Sequence, residues 1–125
     1  MKHSIIPIIF AVLCIFVTGS LAHPADSLLM SIDSNGLLSI QIYHPVKDHA
    51  KHYINKVLVE LNGKEIIQQS FKSQTDKTVQ ELIYKIIDAK ENDKITVTAY
   101  CNITGKKKET LTLTVTEKSE TEQEK

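Results

Sequence analysis

A chain of 125 residues, 42% hydrophobic and 6% aromatic, supports one small domain rather than two. Fifteen Lys, no Arg and 15 Asp plus Glu give a formal charge of zero, which argues against a nucleic-acid surface, since such surfaces need a basic excess and use the guanidinium fork to read bases and phosphates. The single basic run, Lys106-Lys107-Lys108, stands beside Glu109 and reads as a solvated turn.

Lys2 and His3 precede an apolar stretch from Ile5 to Val17, broken by Pro7, and then Thr18-Gly19-Ser20-Leu21-Ala22. A short basic start, an apolar segment too short to span a bilayer comfortably and small residues at Ser20 and Ala22 predict a secretory leader over 1–22, cleaved after Ala22. A lipoprotein reading would use Cys14, but Leu13 stands where a small residue is expected, so no stable membrane anchor remains after cleavage. The expected location is exported, either periplasmic or extracellular. Lys2 leaves with the leader, which takes the formal charge from zero to −1, and Cys14 leaves too, so Cys101 is the one cysteine of the domain 23–116. A lone thiol in an oxidising compartment needs burial, a partner chain or a metal to persist.

From residue 28 onward apolar residues alternate, and turn signals recur about every ten residues. Leu28, Met30 and Ile32 lead into Ser34-Asn35-Gly36, and Leu38, Ile40 and Ile42 follow, so the Asn-Gly pair closes a first hairpin. Val57, Val59 and Leu61 lead into Asn62-Gly63, and Ile66, Ile67 and Phe71 return. Leu82, Tyr84 and Ile86 form the next strand, Lys90-Glu91-Asn92-Asp93 a turn, then Ile95, Val97 and Ala99, and finally Leu111, Leu113 and Val115. Seven short strands without a helical period predict an all-β fold, an immunoglobulin-like antiparallel β-sandwich. The Cys-Trp-Cys core of antibody domains is absent, because the chain has no Trp. Residues 117–125 carry four Glu, two Lys and no apolar side chain, and are expected to form a disordered charged tail.

Three of the four histidines after the leader crowd into one connection, His44-Pro45-Val46-Lys47-Asp48-His49-Ala50-Lys51-His52-Tyr53. Imidazoles at both ends of a loop held by rigid strands can converge on one point, and Cys101, just after the strand Ile95 to Tyr100, can join them. A thiolate with neutral imidazoles suits Zn, Cu or Fe rather than Mg or Ca. Against this, the seven residues between His44 and His52 match no compact zinc pattern, and Cys101 can equally be a small buried hydrophobe. His23 could chelate copper as a new N-terminus, but Pro24 removes the next amide, and a frayed end is the plainer reading. Asn102-Ile103-Thr104 fits the N-glycosylation pattern, a three-residue match common by chance. No nucleotide loop, Ser-His-Asp order or carboxylate pair is present.

His44-Pro45, His52-Tyr53-Ile54, Asn62-Gly63 and the segment Thr98-Ala99-Tyr100-Cys101-Asn102-Ile103-Thr104-Gly105-Lys106 together resemble the iron-binding domain of desulfoferrodoxin and superoxide reductase, over roughly residues 40 to 110. That family is a seven-stranded sandwich holding one non-haem iron with four equatorial histidines and one axial cysteine, on a His-Pro…His-Tyr-Ile segment and a Cys-Asn-x-His-Gly segment. The resemblance implies iron ligands at His44 and His52, with Cys101 axial. Thr104 stands where the second motif has its histidine. The connection between the two His motifs is about two residues longer than usual, and its added segment carries His49, a candidate replacement. The family's early Glu-Lys-His loop has no counterpart, which leaves His23 as the upstream candidate.

The chemistry implied is one-electron reduction of superoxide at Fe(II), with an external electron donor, because one cysteine cannot build a rubredoxin-like centre. The competing reading is a degenerate relative without turnover, either a metal carrier for iron, copper or zinc or a β-sandwich module that binds a partner. No catalytic residue is assigned, and no nucleic-acid partner is expected.

Overall fold

Period-two alternation of apolar side chains builds seven strands: β1 (Ser27–Ile32), β2 (Leu37–Tyr43), β3 (Ile54–Leu61), β4 (Lys64–Ser70), β5 (Val79–Lys85), β6 (Lys94–Cys101) and β7 (Lys106–Thr112). The computed structural model describes residues 23–114; the expected leader 1–22 and charged tail 117–125 lie outside the described residues. The strands form two antiparallel sheets, β1-β2-β5 and β4-β3-β6-β7, and the all-β sandwich expected from the sequence is the fold.

Each sheet turns one face inward. Leu28, Leu38, Ile40 and Ile42 come from the first sheet, and Ile54, Val57, Val59, Ile95, Val97 and Ala99 meet them from the second; all are buried. Fully burying one such side chain is worth about 1.5–3 kcal/mol, so this interleaved layer is the main cohesive term. Strand β4 contributes only half-buried Ile66 and Ile67, in keeping with an edge strand.

The two Asn-Gly signals act differently. Asn62 and Gly63 both have positive φ, 50° and 82°, which is what a two-residue hairpin loop matching strand twist requires. The first turn is longer: the Asp33 carboxylate accepts the N–H of Asn35 (2.8 Å) and of Leu37 (2.9 Å), closing a four-residue loop between β1 and β2. The lysine run is a correction to the sequence reading. Lys106, Lys107 and Lys108 begin the edge strand β7 rather than a turn, where lysines discourage pairing with another sheet. Lys107 faces Glu109 at 3.6 Å and Lys108 faces Glu60 at 4.0 Å.

Candidate metal centre

Antiparallel pairing delivers five strand ends to one end of the sandwich. Ser27, at the start of β1, pairs with Tyr43, at the end of β2, and Tyr43 pairs with Val79, at the start of β5. In the other sheet Ile54, at the start of β3, pairs with Cys101, at the end of β6. His44 therefore leaves the first sheet where His52 enters the second and where Cys101 leaves it. The pairing of β2 with β5 extends one step past the strand, because the His44 N–H donates to the Thr78 carbonyl at 2.9 Å.

The connection from His44 to His52 is shaped by Asp48. Its carbonyl accepts the N–H of Lys51 (3.2 Å) and His52 (2.9 Å), and its carboxylate accepts that of Ala50 (3.0 Å). This tight turn lifts His52 toward Cys101. Asn102 then locks the two strand ends together: its backbone N–H donates to the Tyr53 carbonyl at 2.9 Å, its Oδ1 accepts the Tyr53 N–H at 2.9 Å, and its Nδ2 donates to the Lys51 carbonyl at 2.8 Å. A bulge at Asn55 sets two β3 residues against one of β6, so Ile54 and Val57 both point inward.

The outcome is a cluster in which one ligand atom each from His44, His52 and Cys101 lies within 4.8 Å of the others. His52 Nε2 and Cys101 Sγ are 3.1 Å apart, and the imidazole rings of His44 and His52 meet edge to face at 4.7 Å. His44 is fully buried and Cys101 nearly so. The Ile103 N–H approaches the Cys101 sulfur at 3.4 Å. Burial holds the His52 pKa below the ordinary imidazole value of 6.5, helped by the nearby His44 and His23, and so favours the neutral form that binds metals.

His23 lies beside the cluster. Its half-buried ring lies edge to face with His44 at 5.1 Å and with His52 at 5.5 Å, and its carbonyl is 3.1 Å from His44 Nε2. Gly105 helps to place it: a Cβ there would meet Pro24 at 2.9 Å, so the absent side chain lets the segment carrying His23 lie against the β6–β7 turn. His23 stays outside the three-residue group, as does His49, whose Nδ1–H donates to the Gln74 carbonyl at 3.0 Å. Thr104 is exposed on the β6–β7 turn.

The residue that the sequence did not reveal is Gln74. It sits in the polar connection between β4 and β5, yet it is buried and reaches His44 Nδ1 with Oε1 at 2.9 Å. A glutamine between Ser73 and Thr75 carries no periodic signal, so nothing in the local sequence marks it.

Neither protein-family models nor curated proteins match the sequence. Among solved structures the chain is similar to a superoxide reductase (1Fe-SOR) from Giardia intestinalis, with a TM-score of 0.57 and 20% identity, over 73% of this chain and 100% of that one. The two share a fold.

The donor set fits a mononuclear metal. Metal–nitrogen and metal–sulfur bonds of about 2.0–2.3 Å separate the donors around one ion by roughly 3 to 4.5 Å, and the donors here, with His52 and Cys101 3.1 Å apart and all three within 4.8 Å, would need to draw in by only a few tenths of an ångström. Thiolate and neutral imidazole are donors that iron, copper and zinc accept.

Proposed function

We propose that the chain is an exported mononuclear iron-binding protein of the superoxide reductase type, with His44, His52 and Cys101 as ligands and His23 as the imidazole nearest to adding a fourth. The observation that carries this reading is the convergence of those three donors in a fold similar to that of a superoxide reductase. Export is supported by the apolar stretch Ile5 to Val17 and the small residues Ser20 and Ala22. When bound, ferrous iron supplies one electron per superoxide, two protons complete hydrogen peroxide, and an external donor restores the ferrous state. In this account Cys101 would supply the electron-rich thiolate donor, His44 would hold the metal from the buried side, and His52 would hold it from the more open side.

One observation favours a second reading, that of a metal carrier without turnover. Among the described residues three donors converge, and Thr104 is exposed where the related motif has a histidine. Three donors of this kind also suit zinc or copper. Metal analysis with an optical spectrum of the untagged full chain separates the two readings. Iron with a thiolate-to-Fe(III) charge-transfer band and superoxide-dependent oxidation of the ferrous form supports the reductase. Stoichiometric zinc or copper supports the carrier.

A further inference from the structure

Gln74 makes contacts whose direction admits one assignment. Its Nε2 lies 2.8 Å from the His44 carbonyl and 3.0 Å from the Asp76 carbonyl, and carbonyls only accept. Its Oε1 lies 3.3 Å from the Ile54 N–H, which only donates. The amide therefore cannot be turned over without setting three contacts against like partners. What faces His44 Nδ1 at 2.9 Å is then an acceptor, a contact that the Nδ1–H tautomer satisfies.

From this geometry we infer that Gln74 is a positioning residue: it holds His44 as the Nδ1–H tautomer and so presents Nε2 to the metal. The inference rests on the metal-centre reading above. Gln74 is itself held by reciprocal bonds to His49, since its N–H donates to the His49 carbonyl at 3.1 Å while the His49 Nδ1–H donates to the Gln74 carbonyl. His49 thereby acts one shell behind the ligands it does not join. The His23 carbonyl, 3.1 Å from Nε2, competes for the same proton. Gln74 wins because its oxygen is buried and its amide is fixed at three further points, whereas His23 is half-exposed. Partners of this kind, donating or accepting behind a metal-bound imidazole, typically change metal affinity 10–100-fold.

The test uses the metal-free full chain near pH 8, where ordinary imidazoles are neutral, and long-range proton–nitrogen NMR to assign the His44 tautomer. Nδ1–H in the wild type is expected, and Nε2–H there overturns the inference without recourse to any variant. Gln74→Met removes the acceptor and should give a mixture of tautomers with Co(II) affinity about 10–100-fold weaker. Gln74→Glu keeps an acceptor for Nδ1–H and Ile54 and should restore both the tautomer and most of the affinity, although it loses the two donated bonds. If Gln74→Met, folded as judged by its amide spectrum, keeps the wild-type tautomer and affinity, Gln74 positions nothing. A wild type that shows Nδ1–H but takes up no Co(II) overturns the metal-centre reading instead, leaving the hold of Gln74 on His44 intact.

Discussion

At the scale of single residues the cluster divides into donors and supports, and substitutions should separate the two. His52→Ala removes a donor 3.1 Å from the Cys101 sulfur and should weaken metal binding by at least the 10–100-fold associated with a lost supporting contact, as read by competition with a chelator. His49→Ala should weaken it less, because His49 acts through Gln74. Acid should act on the metal-free protein in two windows. Folded His52 has a lowered pKa, so below 6.5 the unfolded chain takes the proton first and stability falls as pH drops through that range. Asp33, Asp76 and Asp93 have carboxyls held below their ordinary 3.8, Asp33 and Asp76 chiefly by turn N–H groups and Asp93 chiefly by the Asn62 side chain, so a further loss begins below 3.8. Thermal unfolding followed from pH 8 to pH 3 should show the midpoint descending in both ranges, and a midpoint unchanged between pH 7.5 and pH 5 would remove the role given to His52.

Strands and turns explain why those residues meet. The pairing of β3 with β6, clamped by Asn102, brings His52 to Cys101 although 49 positions separate them. Asn102→Ala leaves the Tyr53 N–H and the Lys51 carbonyl without their side-chain partner and should cost about 1–3 kcal/mol in denaturant unfolding. Metal affinity should fall with it, since the His52 turn loses its anchor. Much at this scale was legible in the sequence. Period-two runs such as Leu38, Ile40 and Ile42 announce strands, and Asn62-Gly63 announces its turn. The lysine run was misread because three consecutive charges look solvated whether they lie on a turn or on an edge strand. Gln74 was invisible because its importance comes from partners 20 and 30 positions away, in segments that local pattern cannot bring together.

The whole molecule is a sandwich whose core and candidate metal centre are adjacent but distinct. Ile40 is buried among both sheets and is not part of the donor cluster. Ile40→Ala should cost about 2–5 kcal/mol of stability, while the folded variant keeps its metal affinity, since the donors hang from strand ends rather than from the centre of the core. Alternation told which faces turn inward, but not that β5 crosses back to pair with β2, because sheet order depends on long-range packing. The central claim, that His44, His52 and Cys101 together hold one metal, is tested most directly by measuring metal content and optical spectrum on the full chain and on Cys101→Ala in parallel. One iron per wild-type chain with a thiolate charge-transfer band, and in Cys101→Ala no band and strongly reduced metal, is the predicted result; equal metal content in the two proteins would contradict it.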